Sequence, residues 1–257
     1  VMWPTYLRPI IIFLGLLMIW QFTIYVTDIP FFILPSPIAV FQSITAHSNL
    51  LVTHSLVTLS EIIAGLFLGV FLGTITAVIM SAFKSIRNWV LPTLVVSQTL
   101  PVFAIAPILV LWLGYGMASK IAMATIIIYF PITVTLLDGL KNVNQDYLDL
   151  AHTMDASNAS ILQFIKIPHA LPSFASGVKV ATSVAPIGAI VGEWVGASEG
   201  LGYLMLHANG RMQTDLMFAA LFVLALLAVS LYYLINAILN IVLIKHSLIN
   251  PDKASGG

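Results

Sequence analysis

Six stretches of this chain are nearly free of charge and approach or exceed the ~20 residues needed to cross a hydrocarbon layer as a helix. They run roughly over 9–27, 56–82, 89–113, 119–137, 174–196 and 215–244. Lipid offers no partner to a backbone N–H or C=O, so each stretch must close its own hydrogen bonds as a helix. None shows the period-two alternation of a membrane barrel. The expectation is an all-α, multi-pass membrane protein, a single integral domain over 1–257 with no soluble appendage. Composition supports it: 60% of residues are hydrophobic and 8% are charged, whereas soluble domains carry about 25% charged residues. Acidic and basic residues balance at ten each, which leaves no basic footprint for nucleic acid. With no cysteine, disulfides, thiolate chemistry and thiolate metal sites are excluded.

Orientation follows from the cations. With the N-terminus inside, Arg8, Lys84, Arg87, Lys141, Lys166, Lys245 and Lys253 fall on the cytoplasmic side, and Lys179 lies just inside the fifth span on that side. Lys120 and Arg211 fall outside. Both termini and the loop 138–172 are therefore expected in the cytoplasm. The first run has no small-x-small cleavage pattern after it, so it reads as a retained anchor. Leu34-Pro35-Ser36-Pro37 is a sharp turn, with Ser36 able to cap a short helix from Pro37 to about residue 48. Ile38, Phe41 and Ile44 lie on one side of it, as for a helix in the outer interface. Pro92, Pro101 and Pro107 punctuate the third span, and broken helices at membrane depth are tolerated where they line a cavity or pack on protein.

Gly65, Gly69 and Gly73 recur every four residues in the second span, and Gly188, Gly192 and Gly196 in the fifth. Such rows let helix backbones approach closely. They serve as packing faces or as the sliding surfaces of a gate. Glu61 continues the first row, and Glu193 lies in a row adjacent to the second. A carboxylate facing lipid at depth costs roughly 2.5 kcal/mol or more, so both should line a path or pair with polar groups between helices. Gln98 is a further polar group in the third span. Trp112, Trp194 and Tyr203 read as interfacial anchors or as surfaces that stack on an aromatic ring.

The polar stretch Asp138 to Pro172 stands out between two apolar runs. Asp146 to Met154 reads as a helix capped by Asp146, with Leu148, Ala151 and His152 on one face. A second helix is expected to run to about Lys166. The turn between them calls for a residue tolerant of positive φ, and Asp155 is an acceptable substitute for glycine there. Pro168 and Pro172 steer the chain back to the membrane.

This stretch resembles the coupling-loop signature of the permease subunits of bacterial ABC importers: Glu-Ala-Ala, three residues, Gly, nine residues, Ile, one residue, Leu-Pro. Asp149, Leu150 and Ala151 stand at the first three positions, Asp155 at the glycine, and Ile165, Ile167 and Pro168 at the end. The spacing is intact, and the departures are Asp149, Leu150 and Asp155, with Ile167 for leucine. Leu34-Pro35-Ser36-Pro37 and Gly200-Leu201-Gly202-Tyr203-Leu204 are similar to the nitrate, sulfonate and taurine branch. Ser97-Gln98-Thr99-Leu100-Pro101-Val102-Phe103-Ala104, Gly192-Glu193-Trp194-Val195-Gly196 and Tyr203 to Asn209 look closest to permeases for thiamine pyrimidine precursors.

The resemblance implies a type I importer permease in a bacterial cell membrane, paired with a second copy. It implies two ATPase subunits that bind ATP and Mg, and an extracytoplasmic substrate-binding protein. Asp149, Leu150, Ala151, His152, Thr153, Asp155, Ala156, Ile165, Ile167 and Pro168 would couple to the ATPase. Glu61, Gln98, Glu193 and Trp194 would line the path or gate. The chain itself has no Gly-x-x-x-x-Gly-Lys-Ser/Thr phosphate loop, so it is expected to be no enzyme and to hold no cofactor. No metal is expected, because His152 and His169 are too far apart for one helical face. A membrane-embedded hydrolase would have to use Ser81 with Lys84 or Ser176 with Lys179, pairs at span ends with no oxyanion-hole signature. An ion-coupled secondary carrier would need midplane coupling residues, for which Glu61 is the candidate.

Overall fold

The computed structural model describes residues 7–249, with side chains over 11–244. Arg8, Lys245 and Lys253, three of the cations used for orientation, lie outside the described side chains. The chain order is α1 (Leu7–Thr27), α2 (Pro37–Ala46), α3 (Ser48–Ala82), α4 (Lys84–Ser97), α5 (Val102–Leu113), α6 (Met117–Lys141), α7 (Gln145–Thr153), α8 (Asn158–Ile161), α9 (Ile167–Gly196), α10 (Leu201–Gly210) and α11 (Thr214–Ile249). A π-helical segment, Leu162–Lys166, joins α8 to α9. Among the described residues there is no strand.

Among the described residues four helices are long and apolar enough to span a membrane: α3, α6, α8 through α9, and α11. The bent pair α4 and α5 makes a fifth. In α1 the described side chains cover only Ile11–Thr27, an apolar helix short of that length. It lies against α11 through Phe13–Phe222 and Trp20–Phe218 ring contacts.

Several boundaries differ from expectation for physical reasons. The second span starts at Ser48 rather than 56, because the polar residues of its first turns stay helical and His54 and Thr58 find buried partners. The third span breaks once, by 104°. The break falls at Gln98 to Pro101, while Pro92 and Pro107 sit inside helices. Pro168 and Pro172 do not end a helix. Asn158 to Gly196 is one run of 39 residues. Its π-helical segment lies just before Pro168, and Ile167 N–H reaches back to Leu162 O. That extra residue per turn relieves the clash of a proline ring with the carbonyl four residues earlier. The α2 helix keeps its cap, with Ala39 N–H donating to Ser36 Oγ at 3.2 Å. Ile38 and Phe41 are exposed, while Ile44 packs inward.

The core is built on α6. A Cβ added at Gly65 would sit 2.5 Å from Ala124 Cβ, one at Gly69 2.5 Å from Ile128 Cγ2, and one at Gly73 2.9 Å from Ile132 Cγ2. Each four-residue step on α3 is matched by a four-residue step on α6, so the two helices run parallel in one register. The other face of α6 meets α9 running the opposite way: Gly188 lies over Ala124 and Gly192 over Lys120. Gly196 abuts Val110 of α5. Ala124 is thus clasped between Gly65 and Gly188. Ile62, Leu66, Ile128, Ile132, Ala181 and Ala185 fill the space around it.

Gly188→Val should therefore be severe, since its Cβ would lie 2.6 Å from the Ala124 backbone. Overpacking costs typically 1–3 kcal/mol, so a drop of roughly 3 °C or more in the melting temperature of the detergent-purified protein is expected. Gly15→Leu, where a Cβ meets nothing within 4 Å, should leave that temperature unchanged.

Candidate coupling site and buried polar network

Two polar assemblies occupy opposite ends of the bundle. The first is the loop between α6 and α9. Asn144, not Asp146, caps α7: its side chain accepts from Asp146 N–H at 3.0 Å. Asparagine at this position reaches two residues on, which leaves Asp146 free in the first turn, where an acid favours the helix dipole. The helix ends at Met154, and Asp155 takes φ 54°. Ala156 N–H donates to Ala151 O at 3.0 Å and Asp155 N–H to His152 O at 3.1 Å. This is a complete Schellman termination with aspartate in the left-handed position that glycine usually fills. Ser157 then caps α8, accepting from Ser160 N–H at 3.2 Å.

The turn fixes which way each coupling residue faces. Ala151 is buried against the bundle, and Leu148 and His152 turn towards it and line a cavity. Tyr147, Leu150 and Met154 are 56%, 59% and 74% exposed, one stripe at helical spacing on the other side. Phe164 adds a further exposed ring. Asp149 and Thr153 are exposed, Ala156 and Ile165 half-buried, and Ile167 and Pro168 belong to the first turn of α9. Sequence reasoning named Leu150 but not the apolar stripe that it forms with Tyr147 and Met154, although the three-and-four spacing is plain in the residues.

The second assembly lies between the far ends of α3, α6 and α9. Lys120 Nζ meets Glu61 Oε1 at 2.6 Å, with both side chains almost fully buried. Lys120 was expected at the outer end of the fourth span, counted among the outside cations. Its position four residues before Ala124 instead puts it on the packed face of α6, opposite Glu61 four before Gly65. Glu61 Oε2 has no hydrogen-bond partner, and Lys120 Nζ also reaches Glu199 O at 3.5 Å.

Beside this pair, Glu193 organises the start of α10. Thr58 Oγ1 donates to Glu193 Oε1 at 2.6 Å and accepts Leu201 N–H at 2.8 Å. Gly202 N–H donates to Glu193 Oε2. Gly200 N–H donates to His54 Nδ1 at 2.9 Å, which puts the ring proton on Nε2. Three successive backbone donors at a helix start are thereby satisfied by side chains of α3 and α9, and a carboxylate sits at the positive end of the α10 dipole. Gly200 adopts φ 115° to make this turn. His54, Tyr203 and His207 continue as a stack of rings.

Of the residues assigned to a path, Glu61 and Glu193 are enclosed in helix packing, and Gln98 and Trp194 are exposed. Trp194 touches Phe103 across α9 and α5, ring centroids 6.0 Å apart. The partners His54, Thr58 and Lys120 were not found from sequence, since no local spacing links them to the acids. Among the described residues no group of three His, Asp or Glu is placed to hold a metal.

The family profile of binding-protein-dependent transport system inner membrane components matches residues 65–243. The chain belongs to that family. The permease is 54% identical, over 91% of its length and 96% of the relative's, to a probable ABC transporter permease protein of Haemophilus influenzae. It is 40% identical, over 92% of its length and 95% of the relative's, to the formylaminopyrimidine transport permease protein ThiX of Halalkalibacterium halodurans. Its fold matches a chain of the MetNI methionine ABC transporter in an inward-facing form, TM-score 0.66 at 18% identity, over 77% of the permease and 98% of that chain.

Removing one member of the buried ion pair should cost about 3–5 kcal/mol, because the other is left uncompensated. Lys120→Met is thus expected to lower the melting temperature in detergent sharply. The double variant Glu61→Met/Lys120→Met should recover most of that loss.

Proposed function

We propose that this permease is the membrane-spanning subunit of an ATP-driven importer for a thiamine pyrimidine precursor. In this reading six spans cross a bacterial cytoplasmic membrane, with both termini and the α7–α8 loop in the cytoplasm. Two copies enclose the path, two ATPase subunits bind ATP and Mg beneath them, and a separate binding protein delivers cargo from outside. The chain hydrolyses nothing itself.

The observation that carries the coupling role is the outward stripe Tyr147, Leu150 and Met154. A polar loop helix that turns three large apolar side chains to water has surface left over for a protein partner. Its inner face is anchored by Ala151, and its end is fixed by the Schellman turn, so a force on the stripe reaches the body of the loop. Asp149, His152, Thr153, Asp155 and Ala156 shape that helix and its turn. Ile165, Ile167 and Pro168 carry the chain from it into α9.

Support for the cargo is twofold. The formylaminopyrimidine permease is alike over nearly the whole chain. The exposed stripe of α9 over Ser183, Ile187 and Trp194 offers neutral polar and aromatic surface, and Lys179, one turn before it, donates to Asn240 Oδ1 at 3.3 Å. Together with Gln98 and Phe103, such a lining suits an uncharged heteroaromatic ring better than the anion of a sulfonate, taurine or nitrate.

Leu150→Asp/Met154→Asp should abolish co-purification of the ATPase subunit while the melting temperature holds, since both sites are exposed. Unchanged association would refute the docking assignment. For the cargo, proteoliposomes holding the complete transporter should accumulate labelled hydroxymethylpyrimidine or formylaminopyrimidine on ATP addition and leave taurine outside. ATP-dependent uptake of taurine in place of the pyrimidines would replace the cargo and keep the permease assignment. Uptake driven by a proton gradient with no ATPase present would replace both with a secondary carrier.

A further inference from the structure

A cavity of about 640 Å³ opens between the bundle and the inward face of the α7–α8 loop. Lys84 and Arg87 at the start of α4, Lys141 at the end of α6 and Lys166 of the π-helical segment converge on it, with His152 and Asn158 on the loop side. No carboxylate lines it. Among the described residues the one ion pair is Lys120 with Glu61, so none of these four cations has a described carboxylate within ion-pairing distance. Four like charges brought to one cleft from three separate parts of the chain repel each other unless an anion joins them.

We propose that this cleft binds the phosphate headgroup of an anionic phospholipid from the leaflet on the loop side. Phosphate matches the donors, with arginine offering a planar fork and the lysines point charges. The level is that of a membrane surface, because the cleft is bounded by the ends of the spans α3 and α6. The first turns of α4 are two-sided. Lys84 and Arg87 face the cleft, while Phe83, Ile86 and Trp89 are exposed, Trp89 at 78%. An interfacial tryptophan next to a cationic cleft gives acyl chains a surface to lie along while the headgroup is held. A soluble phosphate would have no use for that surface. The outward stripe Tyr147, Leu150 and Met154 points away from the cleft, so an ATPase docked there leaves the cleft open to lipid.

The test uses the purified full-length permease in a neutral detergent, and native mass spectrometry against phosphatidylglycerol and phosphatidylcholine. The lipid readout needs neither the ATPase nor the cargo, so its outcome is separate from that of the transport reading; ATPase binding of the same variants is measured in a second assay. Phosphatidylglycerol should be retained preferentially. With two of the four cations neutralised, Arg87→Gln/Lys141→Gln should weaken that preference by about thirtyfold. Arg211→Gln, at the far end of the bundle, should leave it intact. Should the double variant fold poorly, Lys84→Gln and Lys166→Gln test the same cleft singly. Equal retention of the two lipids, or a preference that survives these changes, overturns the proposal. So does displacement of phosphatidylglycerol by inorganic phosphate at equal concentration, which would make the site one for the free ion. Loss of ATPase binding in Arg87→Gln/Lys141→Gln with lipid preference unchanged would assign the cleft to that subunit instead.

Discussion

The close seating of α6 between two glycine rows is the constraint on which the rest of the fold depends. In lipid there is little hydrophobic drive to bring helices together, so contact must come from shape. Gly65, Gly69 and Gly73 remove side chains on one flank, and Gly188 and Gly192 on the other. The parallel register with α3 and the antiparallel register with α9 are both fixed by these gaps. The same register decides the electrostatics. Continued one step further it brings Glu61 onto Lys120, while the missing side chain at Gly192 makes room for the lysine stem. A buried ion pair is expensive to desolvate and gives little net stability, but it penalises any slip along the helices, since a slip would strand a charge. Glycine rows set the spacing, and the ion pair sets the registration.

The network around Glu193 extends this logic to the chain beyond the spans. A short helix at a membrane surface has little to hold it. Here its first donors are claimed by His54, Thr58 and Glu193, so the position of α10 is dictated by the relative placement of α3 and α9.

Sequence made the apolar spans, the glycine rows, the α2 cap and the turn at Asp155 readable, because each depends on residues close in the chain. A left-handed residue after a short helix is a local demand, and Asp155 meets it at φ 54°. What stayed hidden depended on distant partners. Lys120 stands near the outer start of an apolar run, and only packing against α3 shows it is buried. Nothing in the local sequence ties His54 and Thr58 to the helix they serve, some 140 residues further along. Pro168 looked like a breaker because the rule for proline assumes an α-helix on its N-terminal side, and a π-helical turn evades that rule; Pro172 lies within α9 with nothing in the structure to explain its tolerance. The outward stripe on α7 was visible, but which side of a short amphipathic helix meets the bundle is settled by tertiary contact.

The unbroken run from Asn158 to Gly196 has a mechanical consequence. Spanning 39 residues, it is roughly 58 Å long at the rise of an α-helix. It begins in the loop and ends at the residues that hold α10. Packed on α6 through Gly188 and Gly192, this rod ties the placement of α8 at one end to that of Glu193 near the other. Glu193 lies close to that far end, and its bond from Gly202 N–H makes α10 a neighbour of the same rod.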